Sequence, residues 1–242
     1  MGADAFPAGL QAEYRIANAP LQHWPFPHFY ARELFTPDYY AELQRNLPDP
    51  AALLPMDSTG RTRGFRDRFF MKLGEDRLPG VPEAQHQFWR RLAQWAFGGR
   101  FGTLVLDKFE AVADERLKNA PDREITDEML LVHDRTGYKL GPHTDSPSKV
   151  VSLLIYLPAD ERFARHGTSI YLPKDPAFTC AGGPHYPFAD FDRLVTMPFL
   201  PNSAFGFLKT DRSFHGVERI EEPGVVRWLL QYDLRLRDGA AG

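Results

Sequence analysis

Cysteine is almost missing from this 242-residue chain: Cys180 stands alone, so no internal disulfide can form and cysteine-rich zinc or iron–sulfur sites are excluded by number. No apolar run approaches the ~18 residues that a helix needs to cross a bilayer. Basic charge is not in excess either. Against 29 Lys and Arg stand 32 Asp and Glu, a net charge of −3, which argues against the broad basic face that phosphate backbones select. Met1-Gly2-Ala3-Asp4-Ala5-Phe6 lacks the basic and apolar segments of a secretory signal, and Phe6 stands where a myristoylation signal wants Ser or Thr. The expectation is a cytoplasmic protein with no membrane and no nucleic-acid partner; oligomeric state is not legible. Also missing are the G-x-S-x-G elbow of serine hydrolases, a glycine-rich phosphate fingerprint and the metalloprotease H-E-x-x-H.

The chain does have 19 Phe, 9 Tyr and 4 Trp among 21 Pro and 19 Gly. Aromatics favour strands and Pro and Gly punctuate them, so the balance leans towards many short strands joined by turns. From 21 to about 122, however, the strongest period is helical. Thr36 is placed to cap a helix with Pro37 at its first position, followed by Tyr39, Tyr40 and Leu43. Pro82 opens a second helix with an apolar stripe of Phe88, Trp89, Leu92 and Trp95, ended by Gly98-Gly99. Phe101, Leu104, Phe109 and Val112 suggest a third, before Asp114-Glu115-Arg116. Such aromatic stripes read as core packing.

From Met129 onward the pattern turns extended, with strands expected near 129–133, 150–157, 169–171, 194–198, 204–208 and 225–236. In the last run Val226, Trp228, Leu230, Tyr232 and Leu234 alternate with Val225, Arg227, Leu229 and Gln231, as expected where one face lines an interior and the other packs on helices. An antiparallel sandwich or jelly roll follows. The expected class is α+β with a mainly β core: one domain over 1–242, with 1–126 mostly helical support and 127–237 the jelly-roll core.

Chemistry concentrates in the strand-rich half. His143 and Asp145 are two apart on an extended segment, so their side chains share a side and can reach one metal ion. Alone, that pair is equally a solvated turn. His215 follows 70 residues after Asp145 in Ser213-Phe214-His215-Gly216-Val217, behind the expected strand at 204–208. Two histidines and one carboxylate can occupy one face of an octahedron and leave three positions open, the facial triad of non-haem iron(II) oxygenases. Arg227, 12 residues beyond His215, is a cation inside an apolar strand. Buried, it requires an anionic partner, which a metal-bound dicarboxylate could supply with its far end. Tyr138, five residues before His143, could donate to the same carboxylate, and Lys149 is a second candidate anion contact, equally readable as a strand-edge lysine.

Together these residues resemble the 2-oxoglutarate/Fe(II)-dependent dioxygenase superfamily, in particular its prolyl-4-hydroxylase-like branch. The resemblance rests on His143-Thr144-Asp145, the distal His215 and the downstream Arg227, with Gly167-Thr168-Ser169-Ile170-Tyr171 like the family's central strand and Pro201-Asn202-Ser203-Ala204-Phe205-Gly206-Phe207 like the strand leading to the second histidine. It covers roughly 129–236, and 21–48 also looks like the N-terminal segment of small bacterial members. It implies a double-stranded β-helix, Fe(II) on His143, Asp145 and His215, 2-oxoglutarate as cosubstrate anchored by Arg227, and O2. It further implies hydroxylation of an unactivated C–H bond with release of succinate and CO2. The interval from His215 to Arg227 is slightly longer than the family's usual one, with Glu221-Glu222-Pro223-Gly224 in the connection. Arg219 is the rival anchor, more simply a solvated charge.

Other readings stay open: a jelly-roll metal-binding module without turnover, zinc-dependent hydrolysis on the same triad, or a hydroxylase directed at protein prolines. Arg61, Arg63, Arg66 and Arg68 fall within eight residues. They read most simply as a solvated strand edge, or else as the rim for an anionic small-molecule substrate. The segment 172–192, rich in Pro, Gly and aromatics, is long enough for a lid. Cys180 reads as a loop thiol without a catalytic role, and His23, His28, His86, His133 and His166 lack partners at ligand spacing.

Overall fold

The computed structural model describes residues 7–59, 66–74, 77–112 and 125–237. Its core is eight antiparallel strands in two facing sheets: β4 (Ile125–Arg135), β5 (Leu140–His143), β6 (Lys149–Tyr156), β7 (Thr168–Pro173), β8 (Phe191–Met197), β9 (Ser203–Leu208), β10 (His215–Val217) and β11 (Val226–Leu236). The first sheet contains β9-β6-β11-β4 in that order and the second β5-β10-β7-β8, so the chain passes repeatedly from one sheet to the other. This is a jelly roll.

Alternation along β11 builds both faces of the first sheet. Trp228, Leu230, Tyr232, Leu234 and Leu236 join the outer core with Met129 and Leu131 of β4 and Val151, Leu153 and Ile155 of β6. Among the described residues, four helices cover that face: α1 (Pro7–Asn18), α2 (Pro37–Arg45), α3 (Glu83–Ala96) and α4 (Arg100–Asp107). They contribute Ile16, Leu43, Trp89, Leu92 and Phe101 among others, all essentially sealed from solvent. Each such side chain contributes about 1.5–3 kcal/mol by burial. The opposite face of the sheet, with Leu130, Val132, Phe205, Phe207 and Leu229, meets Ile170 of β7 in a second, inner core.

The expected helix starts are present. Thr36 Oγ1 accepts from Tyr39 N at 3.4 Å with Pro37 in the first turn, and Pro82 precedes α3. Phe101 and Phe109 are buried while Leu104 and Val112 are partly so; Asp114-Glu115-Arg116 lies outside the described residues. The half expected to be mostly helical also supplies β1 (His28–Arg32), β2 (Leu54–Pro55) and β3 (Arg68–Lys72). β1 pairs with β9, and β3 pairs with β4 in the register Arg68 to Asp134, extending the first sheet to seven strands. The run Arg68-Phe69-Phe70-Met71-Lys72 is too short for periodicity to announce it, and its pairing with β4 decides its conformation.

Candidate metal and anion site

His143 ends β5 and His215 begins β10, and the register places them directly opposite one another. Directly paired residues of antiparallel strands project to the same face, which brings the two rings to 4.3 Å between centroids. Asp145, two residues past His143, turns to the same point: its Oδ1 lies 3.8 Å from His143 Nε2 and 4.0 Å from His215 Nε2. All three residues are buried, and their ligand atoms lie within 4.8 Å of one another.

The surroundings fix the tautomers. His143 Nδ1 is 3.1 Å from Gly141 O and His215 Nδ1 2.9 Å from Ser213 O, so each Nδ1–H donates to a carbonyl and each Nε2 keeps its lone pair for the shared point. Burial, and for His143 also the neighbouring His215, holds both rings below the ordinary imidazole range, hence neutral. Burial alone would push the Asp145 carboxyl up. The Lys149 ammonium, with the Ser152 hydroxyl, outweighs it and keeps the group ionised. Lys149 Nζ sits 3.1 Å from both Asp145 Oδ1 and Asp233 Oδ2. Ser152 Oγ lies 2.7 Å from Asp145 Oδ2 and 2.9 Å from Asp233 Oδ1, its single proton serving one of them at a time. Two neutral imidazoles and one carboxylate, each oriented by an outer partner, fit a divalent iron ion.

The segment 174–190 between β7 and β8 covers this end as a fixed wall. Thr144 Oγ1 donates to Cys180 O at 2.8 Å, and Tyr186 N donates to Pro142 O at 2.9 Å. Gly182 has φ +127°, and a Cβ there would stand 2.2 Å from Asp145 O; at Gly141 it would meet Tyr186 O at 2.6 Å. Only glycine allows the two backbones to approach so closely. Phe178, Tyr186, Phe191 and Phe214 pack the wall from behind, and His185 brings its ring to 4.7 Å from that of His143.

One cavity of about 450 Å³ runs from the triad between the sheets and is also lined by Arg227, Arg68, Thr168, Leu229, Gln231, Arg235 and Glu128. Arg227 is 1% exposed. Its Nε donates to His166 O at 2.9 Å, Nη1 to Asp134 Oδ2 at 2.6 Å and Nη2 to Thr168 Oγ1 at 3.1 Å, with the rings of Tyr156 and Phe199 alongside. The anionic partner demanded by its burial is thus in part a protein carboxylate, Asp134, directly opposite it on the neighbouring strand β4. Arg68 shares that carboxylate, with Nε on Oδ1 at 2.6 Å and Nη2 on Oδ2 at 2.9 Å.

Three sequence expectations need correction here. Arg68 is no solvated strand edge but reaches the cavity; Arg66 is exposed, and Arg61 and Arg63 lie outside the described residues. Lys149 is buried and already matched by two protein carboxylates, which leaves it no charge to offer an anion. Tyr138 is buried against Val217, Ile220 and Val225, outside the cavity lining, with the Arg68 guanidinium 4.5 Å above its ring. Arg219 is exposed. Missed from sequence were Ser152, Asp134, Asp233, Glu128 and Arg235. A signal for some of them exists: Arg227, Gln231, Asp233 and Arg235 share the inward face of β11, and Glu128 and Asp134 that of β4.

No protein-family model matches the chain, and no curated protein does. Among solved structures it is similar to a 2OG-Fe(II) oxygenase family oxidoreductase from Burkholderia pseudomallei, at 13% identity over 86% of this chain and 84% of that one, TM-score 0.48. A Pseudomonas putida prolyl-4-hydroxylase is 16% identical over 94% and 100% of the two chains, TM-score 0.47. SnoN, a non-heme alpha ketoglutarate dependent epimerase from nogalamycin biosynthesis, is 12% identical over 97% and 85%, TM-score 0.49. With identities this low, the functional reading rests on the residues of the site.

Proposed function

We propose that the protein is an iron(II)- and 2-oxoglutarate-dependent oxygenase that hydroxylates an unactivated C–H bond of a small molecule, releasing succinate and CO2. The observation that carries this reading is that a His, Asp, His cluster with free Nε2 atoms and a buried arginine open on one cavity. His143, Asp145 and His215 would hold the metal, and Arg227 the far carboxylate of the cosubstrate. When bound, iron with 2-oxoglutarate and O2 supplies the oxidising power that side chains lack.

The remaining work falls to the chain. Gly141 O and Ser213 O keep the two imidazoles turned with Nε2 towards the shared point. Lys149 and Ser152 hold the Asp145 carboxylate ionised and in one orientation. Thr168, His166 O and Asp134 fix the Arg227 guanidinium at the cavity, where it can meet a carboxylate. The wall at 174–190 and the inner aromatic core shield the triad from bulk solvent.

The test is a coupled measurement under air: purified protein with Fe(II) and 2-oxoglutarate should release succinate, slowly alone and faster when the substrate is present. Metal binding with neither 2-oxoglutarate binding nor succinate would mean a metal-binding module. Zinc-supported ester or amide hydrolysis would favour a hydrolase.

A further inference from the structure

Asp134 and the two arginines on it are not balanced. The carboxylate is fully buried and uses Oδ1 for Arg68 Nε, and Oδ2 for both Arg68 Nη2 and Arg227 Nη1. Two guanidinium groups, which stay protonated at any physiological pH, therefore share one negative charge. No other carboxylate among the described residues is within ion-pair distance of either arginine. An unmatched charge in such a place costs several kcal/mol, so this end of the cavity favours a further anion.

Arg68 is as well prepared to receive that anion as Arg227. Its side chain is 12% exposed and lines the same cavity. The Nε and Nη2 edge is committed to Asp134, while Nη1 has no hydrogen-bond partner among the described residues. The ring of Tyr138 beneath the guanidinium and the two-point grip of Asp134 fix its plane. β3 delivers it from outside the eight jelly-roll strands by pairing Arg68 with Asp134 in register.

We propose that Arg68 is a second anion-binding residue of the site: Arg68 and Arg227, joined across Asp134, receive one carboxylate together. Tyr138 acts as a positioning residue through its ring. This inference rests on the cosubstrate reading above, since it takes that carboxylate to be the distal one of 2-oxoglutarate. It gives the buried tyrosine and Arg68 a shared purpose that neither a solvated edge nor a substrate rim provides.

The test is calorimetric titration, without oxygen, of the Mn(II)-loaded full chain with 2-oxoglutarate and, separately, with 2-oxopentanoate, which has the same carbon chain without the distal carboxylate. Arg68→Met should weaken 2-oxoglutarate at least about tenfold while leaving 2-oxopentanoate and Mn(II) affinity unchanged. Arg68→Lys, which keeps the charge but loses the fork, should fall between. Equal weakening of both acids would reduce Arg68 to a structural residue, and unchanged 2-oxoglutarate binding would remove it from the site; either overturns the inference. If the unaltered protein fails to bind 2-oxoglutarate at all, the parent reading falls instead. Should Arg68→Met fold poorly, Arg68→Gln provides a smaller polar replacement for the same comparison.

Discussion

The two ends of the cavity solve opposite electrostatic problems. At the metal end, carboxylates and lysine are matched and the imidazoles are neutral, so what is left over is lone pairs: two Nε2 atoms and Asp145 Oδ1 aimed at one point. At the arginine end the leftovers are N–H donors and one positive charge, with Asp134 divided between two guanidinium groups. One end is prepared for a cation and the other for an anion, which suits a dicarboxylate spanning from metal to arginine. The difference teaches that the partners withheld from each group define the ligand as much as the groups themselves.

The comparison is broken most severely at Asp134. Asp134→Asn leaves two buried guanidinium groups without their shared charge and should destabilise the fold by on the order of 3 kcal/mol. Added 2-oxoglutarate should recover part of that loss, because it brings a carboxylate to the same place; thermal melts with and without it check this. A fold indifferent to the change would mean that solvent already reaches both arginines.

A smaller effect is expected from Ser152→Ala at the other end. It removes a hydrogen bond to Asp145 without touching a ligand atom, so Mn(II) affinity should fall by about 10–100-fold, the range for outer-sphere partners. The distal arginines should be unaffected. Equilibrium dialysis against Mn(II) measures it.

The smallest effect lies outside the cavity. Burial lowers His133, packed between Phe69 and Trp228, and His28 below their ordinary value of 6.5. The unfolded chain takes up these protons first, so stability is complete above about pH 6.5 and declines as pH falls below it, at up to about 1.4 kcal/mol per pH unit for each histidine. His133 has neither ring nitrogen hydrogen-bonded among the described residues, so His133→Phe should flatten that decline, read by denaturant titration at pH 5.5 and 7.5. An unchanged slope would assign the acid sensitivity to the other buried histidines, His28 among them.

The metal end was legible in the sequence because it is nearly local. His143 and Asp145 stand two apart, and His215 follows a recognisable strand. Alternation in 225–236 likewise identified the two faces of β11 and put Arg227 inside. The arginine end was only half legible. Arg68 meets Asp134 across 66 residues, and Arg227 meets it across 93. Periodicity says which face a side chain takes but not which strand lies opposite, so the cluster before β3 read as solvated and Tyr138 read as a direct donor. The helical period of 21–122 similarly hid β1 and β3, short runs whose conformation comes from the strands they join.

The most direct measurement of the account is a crossed titration of two variants without oxygen. Arg227→Met should bind Mn(II) like the unaltered protein but lose 2-oxoglutarate at least about tenfold, whereas His215→Ala should lose Mn(II) itself. Arg227→Met that still binds 2-oxoglutarate as tightly as the unaltered chain would contradict a cavity with one cationic and one metal-binding end.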